Sequence, residues 1–125
     1  MKFSIDKQDK YCIFKLEEEK LNSVIAPLVK SEMIVLNAEG VKNIIFDTSK
    51  VRFVDSSGLS SILIANRLCK NSGGTLVLCS VSENVNKLIK ISQLDSILCI
   101  VPTEEEACDF LMMEAVEKDL NGGKG

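Results

Sequence analysis

Two short apolar runs constrain this chain more than any other feature: Ile44–Phe46 within "NIIFDTS" (43–49) and Leu76–Cys79 within "TLVLCSV" (75–81). A strand that is apolar at every position offers no face to water. It belongs in a sheet covered on both sides, which is the parallel sheet of an α/β domain. The segment between the runs supplies the covering, since Ser57 to Lys70 reads as a helix and "NSGG" as the turn back into the second strand.

The rest of the chain extends the same pattern. "KFSI" and "KYCIFKL" read as two strands joined by the polar "DKQD", an opening hairpin. A helix is expected over 23–39, with Leu28, Val29, Met33 and Leu36 near helical spacing and Gly40 ending it. Pro27 moves its expected start towards residue 25. Ser82 introduces a helix over 83–91, "SILCIV" reads as a last short strand, and a helix follows over 103–119. That helix opens on a capping box, Thr103 with Glu106 three residues on. The expectation is one α/β domain over 1–120, with a mixed, mainly parallel sheet of four to five strands and about four helices, and a disordered tail over 121–125.

Composition removes several function classes. The chain of 125 residues is 46% hydrophobic but only 5% aromatic, enough for one aliphatic core. It has no histidine, so Ser-His and Cys-His nucleophile pairs and His-containing zinc sites are absent. The five cysteines form no CxxC pair and mostly sit among Ile, Leu and Val, as small core side chains do. A net charge of −3 with scattered lysines argues against nucleic-acid binding. The apolar runs are too short to insert in a membrane, and the N-terminus has no apolar signal region, so a cytoplasmic location is expected. No metal or cofactor is implied, and Asp47 reads as a polar strand terminus rather than a phosphoacceptor. The acidic "LEEEK" and "TEEEA" read as solvated charge near helix starts.

The informative stretch is "FVDSSGLSSILIANRLCK", residues 53–70. One capping residue would start this helix, yet Asp55, Ser56, Ser57 and Gly58 stand together. Gly58 in the first turn costs up to about 1 kcal/mol relative to alanine, so something besides helix propensity requires it. Close approach of another molecule to the backbone is the expected reason. The positive end of the helix would tolerate a phosphoserine, whose added charge would repel an acidic or apolar partner.

These residues resemble the anti-sigma-factor antagonists, the bacterial single-domain members of the STAS fold. The likeness runs over nearly the whole chain, through "NIIFDTS", "VRFVDSSGLSSIL", "NSGGTLVLCSV", "VNKLIKISQLDSIL" and "PTEEEACDFL". It implies a non-enzymatic partner switch: the unphosphorylated antagonist binds an anti-sigma factor that is also a serine kinase, and so regulates transcription. The kinase phosphorylates the first serine of the pair, by position Ser56, and a PP2C-type phosphatase restores it. Asp55, Ser57 and Gly58 match the motif, while "LEEEKLN" departs from a family that often has a glycine there. The family pattern buries Leu59, Ile62, Leu63 and Cys69 of the helix. That would leave Ser61, Ile64 and Leu68 beside Ser57 as partner contacts. A second expectation in the same fold is a STAS subunit of a membrane transport complex, such as a lipid-transport ATPase.

Overall fold

The computed structural model describes residues 1–122, and side chains through residue 120. In chain order the elements are β1 (Phe3–Lys7), β2 (Cys12–Leu16), β3 (Lys20–Leu21), α1 (Ala26–Ala38), β4 (Ile44–Asp47), β5 (Phe53–Val54), α2 (Ser56–Asn71), β6 (Leu76–Cys79), α3 (Glu83–Ile91), β7 (Cys99–Val101) and α4 (Glu104–Gly122). The main sheet has the order β1-β2-β4-β6-β7, antiparallel only between β1 and β2. This is the expected mixed, mainly parallel sheet, with five strands and four helices.

Both aliphatic runs occupy the middle of the sheet, where every residue of β4 and β6 is buried. Alternation along the strands divides the core in two. Cys12, Phe14, Ile44, Phe46, Leu76 and Leu78 pack on the side of α1, α2 and α3. Ile45, Val77 and Cys79 pack on the other side, against Ala107 and Leu111 of α4.

Local chemistry sets most helix boundaries. α1 begins at Ala26, because the Asn22 side-chain oxygen accepts the N–H groups of Val24 (3.0 Å) and Ile25 (3.2 Å) and holds a turn ahead of it. It ends before Gly40, whose φ of +92° is the left-handed conformation glycine adopts freely. Ser82 caps α3 through the Val85 N–H at 3.3 Å, and Thr103 caps α4 through the Glu106 N–H at 3.1 Å. Asn121 and Gly122, expected in the tail, form the end of α4, and the remaining tail residues lie outside the described ones.

The sequence reading contains no counterpart of β3 and β5. These two-residue strands pair in parallel, Lys20 with Phe53 and Leu21 with Val54, and form a separate small sheet. They carry too few residues for a period to show. Their pairing joins the polar "EEEKLN" segment to the loop entering α2, and so shapes the mouth of that helix.

Candidate functional site

The mouth of α2 is assembled from two distant segments. The Glu19 carbonyl accepts the N–H groups of Arg52 (2.8 Å) and Phe53 (3.2 Å), and the Leu21 carbonyl accepts that of Asp55 (3.3 Å). Asp55 then turns the chain into the helix. Its Oδ1 accepts the Gly58 N–H at 2.9 Å, and its carbonyl accepts the Leu59 N–H at 2.9 Å. This is the N-cap that the sequence suggests for one of the four residues.

Ser56 is the first residue of α2 and is exposed, and Ser57 beside it is half-buried. First-turn amides lack intrahelical acceptors, so Ser56 stands at the positive end of a 16-residue helix. The two segments that meet at the mouth each expose an apolar side chain, Phe53 of β5 at 50% and Val24, in the turn after β3, at 70%. Neither residue belongs to the sequence-derived site. Val24, an apolar residue directly after the polar pair Asn22–Ser23, was the available signal.

Gly58 has a different role from the expected one. It is buried, and a Cβ there would fall on the Leu21 carbonyl oxygen and stand 2.7 Å from Val54 Cγ1. The close approach is made by the chain's own β3 and β5, not by another molecule. The glycine is therefore an internal packing requirement that lets the small sheet lie on the first turn of α2.

Two further expectations change for residues along α2. Ser61 is fully buried, with its hydroxyl donating to the Gly58 carbonyl at 2.7 Å, so it cannot contact a partner on the surface. Leu68 is half-buried and packs against the main core, and its carbonyl accepts a hydrogen bond from Asn37 of α1 at 3.3 Å. Ile64 is half-buried. The buried face of α2 comprises Gly58, Ser61, Ile62, Ala65, Asn66 and Cys69, while Leu59 and Leu63 pack at its margin. Small and polar residues thus fill much of the buried face, and Leu59 and Leu63, expected at its centre, lie at its edge.

The family model for the STAS domain matches residues 2–107, spanning both the sheet and this helix mouth. The chain belongs to the STAS domain family. BtrV of Bordetella bronchiseptica, provisionally named an anti-sigma factor antagonist, is 27% identical over 107 residues, covering 86% of this chain and 91% of BtrV. A Thermotoga maritima protein provisionally described in the same terms superposes with a TM-score of 0.79 at 28% identity, covering 88% of this chain and 94% of its own. The anti-sigma factor antagonist SpoIIAA of Bacillus shares the fold in both its forms. The unphosphorylated form gives a TM-score of 0.70 at 21% identity, covering 89% of this chain and 98% of its own. The phosphorylated form gives 0.69 at 23%, covering 88% and 99%.

Other titratable groups of this STAS domain lie apart from the helix mouth. Asp47 is buried at the end of β4, where its Oδ1 accepts the Ser49 N–H at 2.9 Å. Burial pushes its carboxyl up, but hydrogen bonds from Glu104 and Ser49 outweigh burial and leave it below the usual carboxylate range. Glu104 is held above that range by the same hydrogen bond to Asp47, and then by burial. Burial raises the Cys69 and Cys79 thiols to about 12, so neither is disposed to act as a thiolate near neutral pH. Among the described residues, no helix is long and apolar enough to cross a membrane, and no group of three or more His, Cys, Asp or Glu residues is placed to hold a metal.

Proposed function

We propose that this STAS domain is an anti-sigma-factor antagonist that works as a cytoplasmic partner switch without catalysis of its own. In its unphosphorylated form it binds an anti-sigma factor that is also a serine kinase, through a surface centred on Asp55, Ser56 and Ser57. Ile64 extends that surface along α2, and Phe53 and Val24 provide its apolar rim. Ser56 is the phosphoacceptor, and a PP2C-type phosphatase reverses the modification.

The observation that carries this reading is the exposure of Ser56 at the first position of α2, with exposed apolar side chains on the two segments that meet at the helix mouth. A phosphoryl group there adds about −1.5 to −2 charges. The helix end tolerates that charge, so the domain stays folded. A partner packed on Phe53 and Val24 does not tolerate it, because the phosphate must then be desolvated beside apolar groups. The names of the relatives, and the two forms in which SpoIIAA is known, support the same reading.

The test has two parts. Phosphopeptide mass spectrometry of the protein recovered from its own cells should find phosphate on Ser56 in the Phe53–Arg67 peptide, and none in Ser56→Ala. Binding to the anti-sigma factor encoded in the same cells should persist in Ser56→Ala and fall at least about tenfold in Ser56→Glu, at the low end of the cost of disrupting a desolvated contact. A Ser56 left unmodified through growth and stress, with co-purification of membrane ATPase subunits, would replace the switch by the transport-complex reading.

A further inference from the structure

Helix α4 has apolar side chains on both of its faces. Ala107 and Leu111 fill the core beneath the sheet. On the outer side Met112 is 45% exposed, Met113 68%, Val116 56% and Leu120 73%. Met112, Val116 and Leu120 recur every fourth residue and Met113 falls between them, so the four form one continuous stripe. A solvent-facing helix side is normally polar, and a contiguous apolar stripe on it marks an interaction surface. The stripe lies beyond residues 2–107 that match the STAS family model, and on the opposite side of the sheet from α2.

Charge identifies the occupant. The exposed residues bordering the stripe include Glu105, Glu106, Asp109, Glu117 and Asp119. The single basic residue of the helix, Lys118, directs its ammonium to the Gly73 carbonyl at 2.8 Å, away from the stripe. A second copy of α4 would bring acid against acid, and an anionic lipid surface would be repelled in the same way. A segment with apolar residues on one face and lysine or arginine beside them satisfies both features. Methionine, unbranched and polarizable, suits such a surface because it repacks around differently shaped side chains.

We propose that the outer face of α4 is a second docking surface of this protein, and that it takes a cationic amphipathic helix from a partner protein. Binding there is independent of the phosphorylation state of Ser56, so this face can hold a partner while the helix mouth exchanges another.

The probe is a synthetic amphipathic helix built of leucine and lysine alone, with a leucine and glutamate twin as its counterpart. Fluorescence anisotropy would give the affinity, and amide chemical shifts of the full chain would map the contact. The lysine peptide is expected to bind, to shift amides over 105–120, and to bind Ser56→Glu equally well. The exposed pair Met113→Ser/Val116→Ser, which leaves the charge unchanged, is expected to weaken binding at least about tenfold. The proposal is overturned by an absence of binding, by equal binding of the glutamate twin, or by a serine pair that binds as the parent does. It is also overturned if the same serine pair abolishes a homodimer, or releases the protein from phosphatidylglycerol vesicles.

Discussion

Replacing Gly58 by alanine separates two explanations of the glycine by the sign of the effect. If the glycine served only the approach of a partner, alanine in the first turn of α2 would stabilise the free protein by up to about 1 kcal/mol through helix propensity. The structure demands the opposite, because the new methyl would fall on the Leu21 carbonyl oxygen and lie 2.7 Å from Val54 Cγ1. A backbone carbonyl that also accepts the Asp55 N–H at 3.3 Å is not free to swing aside as the end of a long side chain is. Forcing a methyl into such a site costs about 3 kcal/mol, the upper part of the usual overpacking range. Offset by the propensity gain, the net loss is about 2 kcal/mol, which corresponds to a fall in Tm of about 8 °C for a domain of this size. Urea unfolding followed by far-ultraviolet circular dichroism measures the difference directly. An alanine variant as stable as the parent, or more stable, would refute the docking of the small sheet on α2.

Two other properties can be checked on the free protein. Glu104→Gln should stabilise the fold near neutral pH, because it removes a charge disfavoured beside Asp47 while keeping a donor for that carboxylate. Since the folded pKa of Glu104 is raised, its ionisation costs stability at high pH, and the cost disappears as pH falls through that pKa. The advantage of the glutamine variant should therefore shrink with acidification, and an advantage independent of pH in urea titrations would contradict the assignment. In native protein at mildly alkaline pH, Cys12, Cys69 and Cys79 should resist Ellman's reagent until the chain unfolds, since all three are buried with raised pKa values. Fast labelling of any of them, located by peptide mapping, would show that the core opens more readily than its packing implies.

Much of the architecture was legible because it depends on local chemistry. The runs at 43–49 and 75–81 name the central strands, and Ser82, Thr103 and Asp55 each start a helix with their own side chains. The candidate site was legible in position rather than in detail. Ser56 lies exposed at the helix mouth, where the motif puts it, and Asp55 caps the helix. Ser61 was misassigned because it stands one turn from Ser57, on the side that a buried face of Leu59, Ile62, Leu63 and Cys69 would leave to solvent. In the fold its hydroxyl donates to the Gly58 carbonyl, one turn back, and so is buried with its donor satisfied.

The sequence by itself determined which segments become strands and helices, their order, and the residue types at the helix mouth. Tertiary structure alone decided that Leu21 lies over Gly58, because a two-residue strand carries no period and its pairing is fixed by the chain that arrives beside it. It also decided which side of α4 meets the sheet. A helix apolar on both faces can dock by either, and here the packing of Ala107 and Leu111 beneath β4 and β6 turned Met113 and Val116 towards solvent.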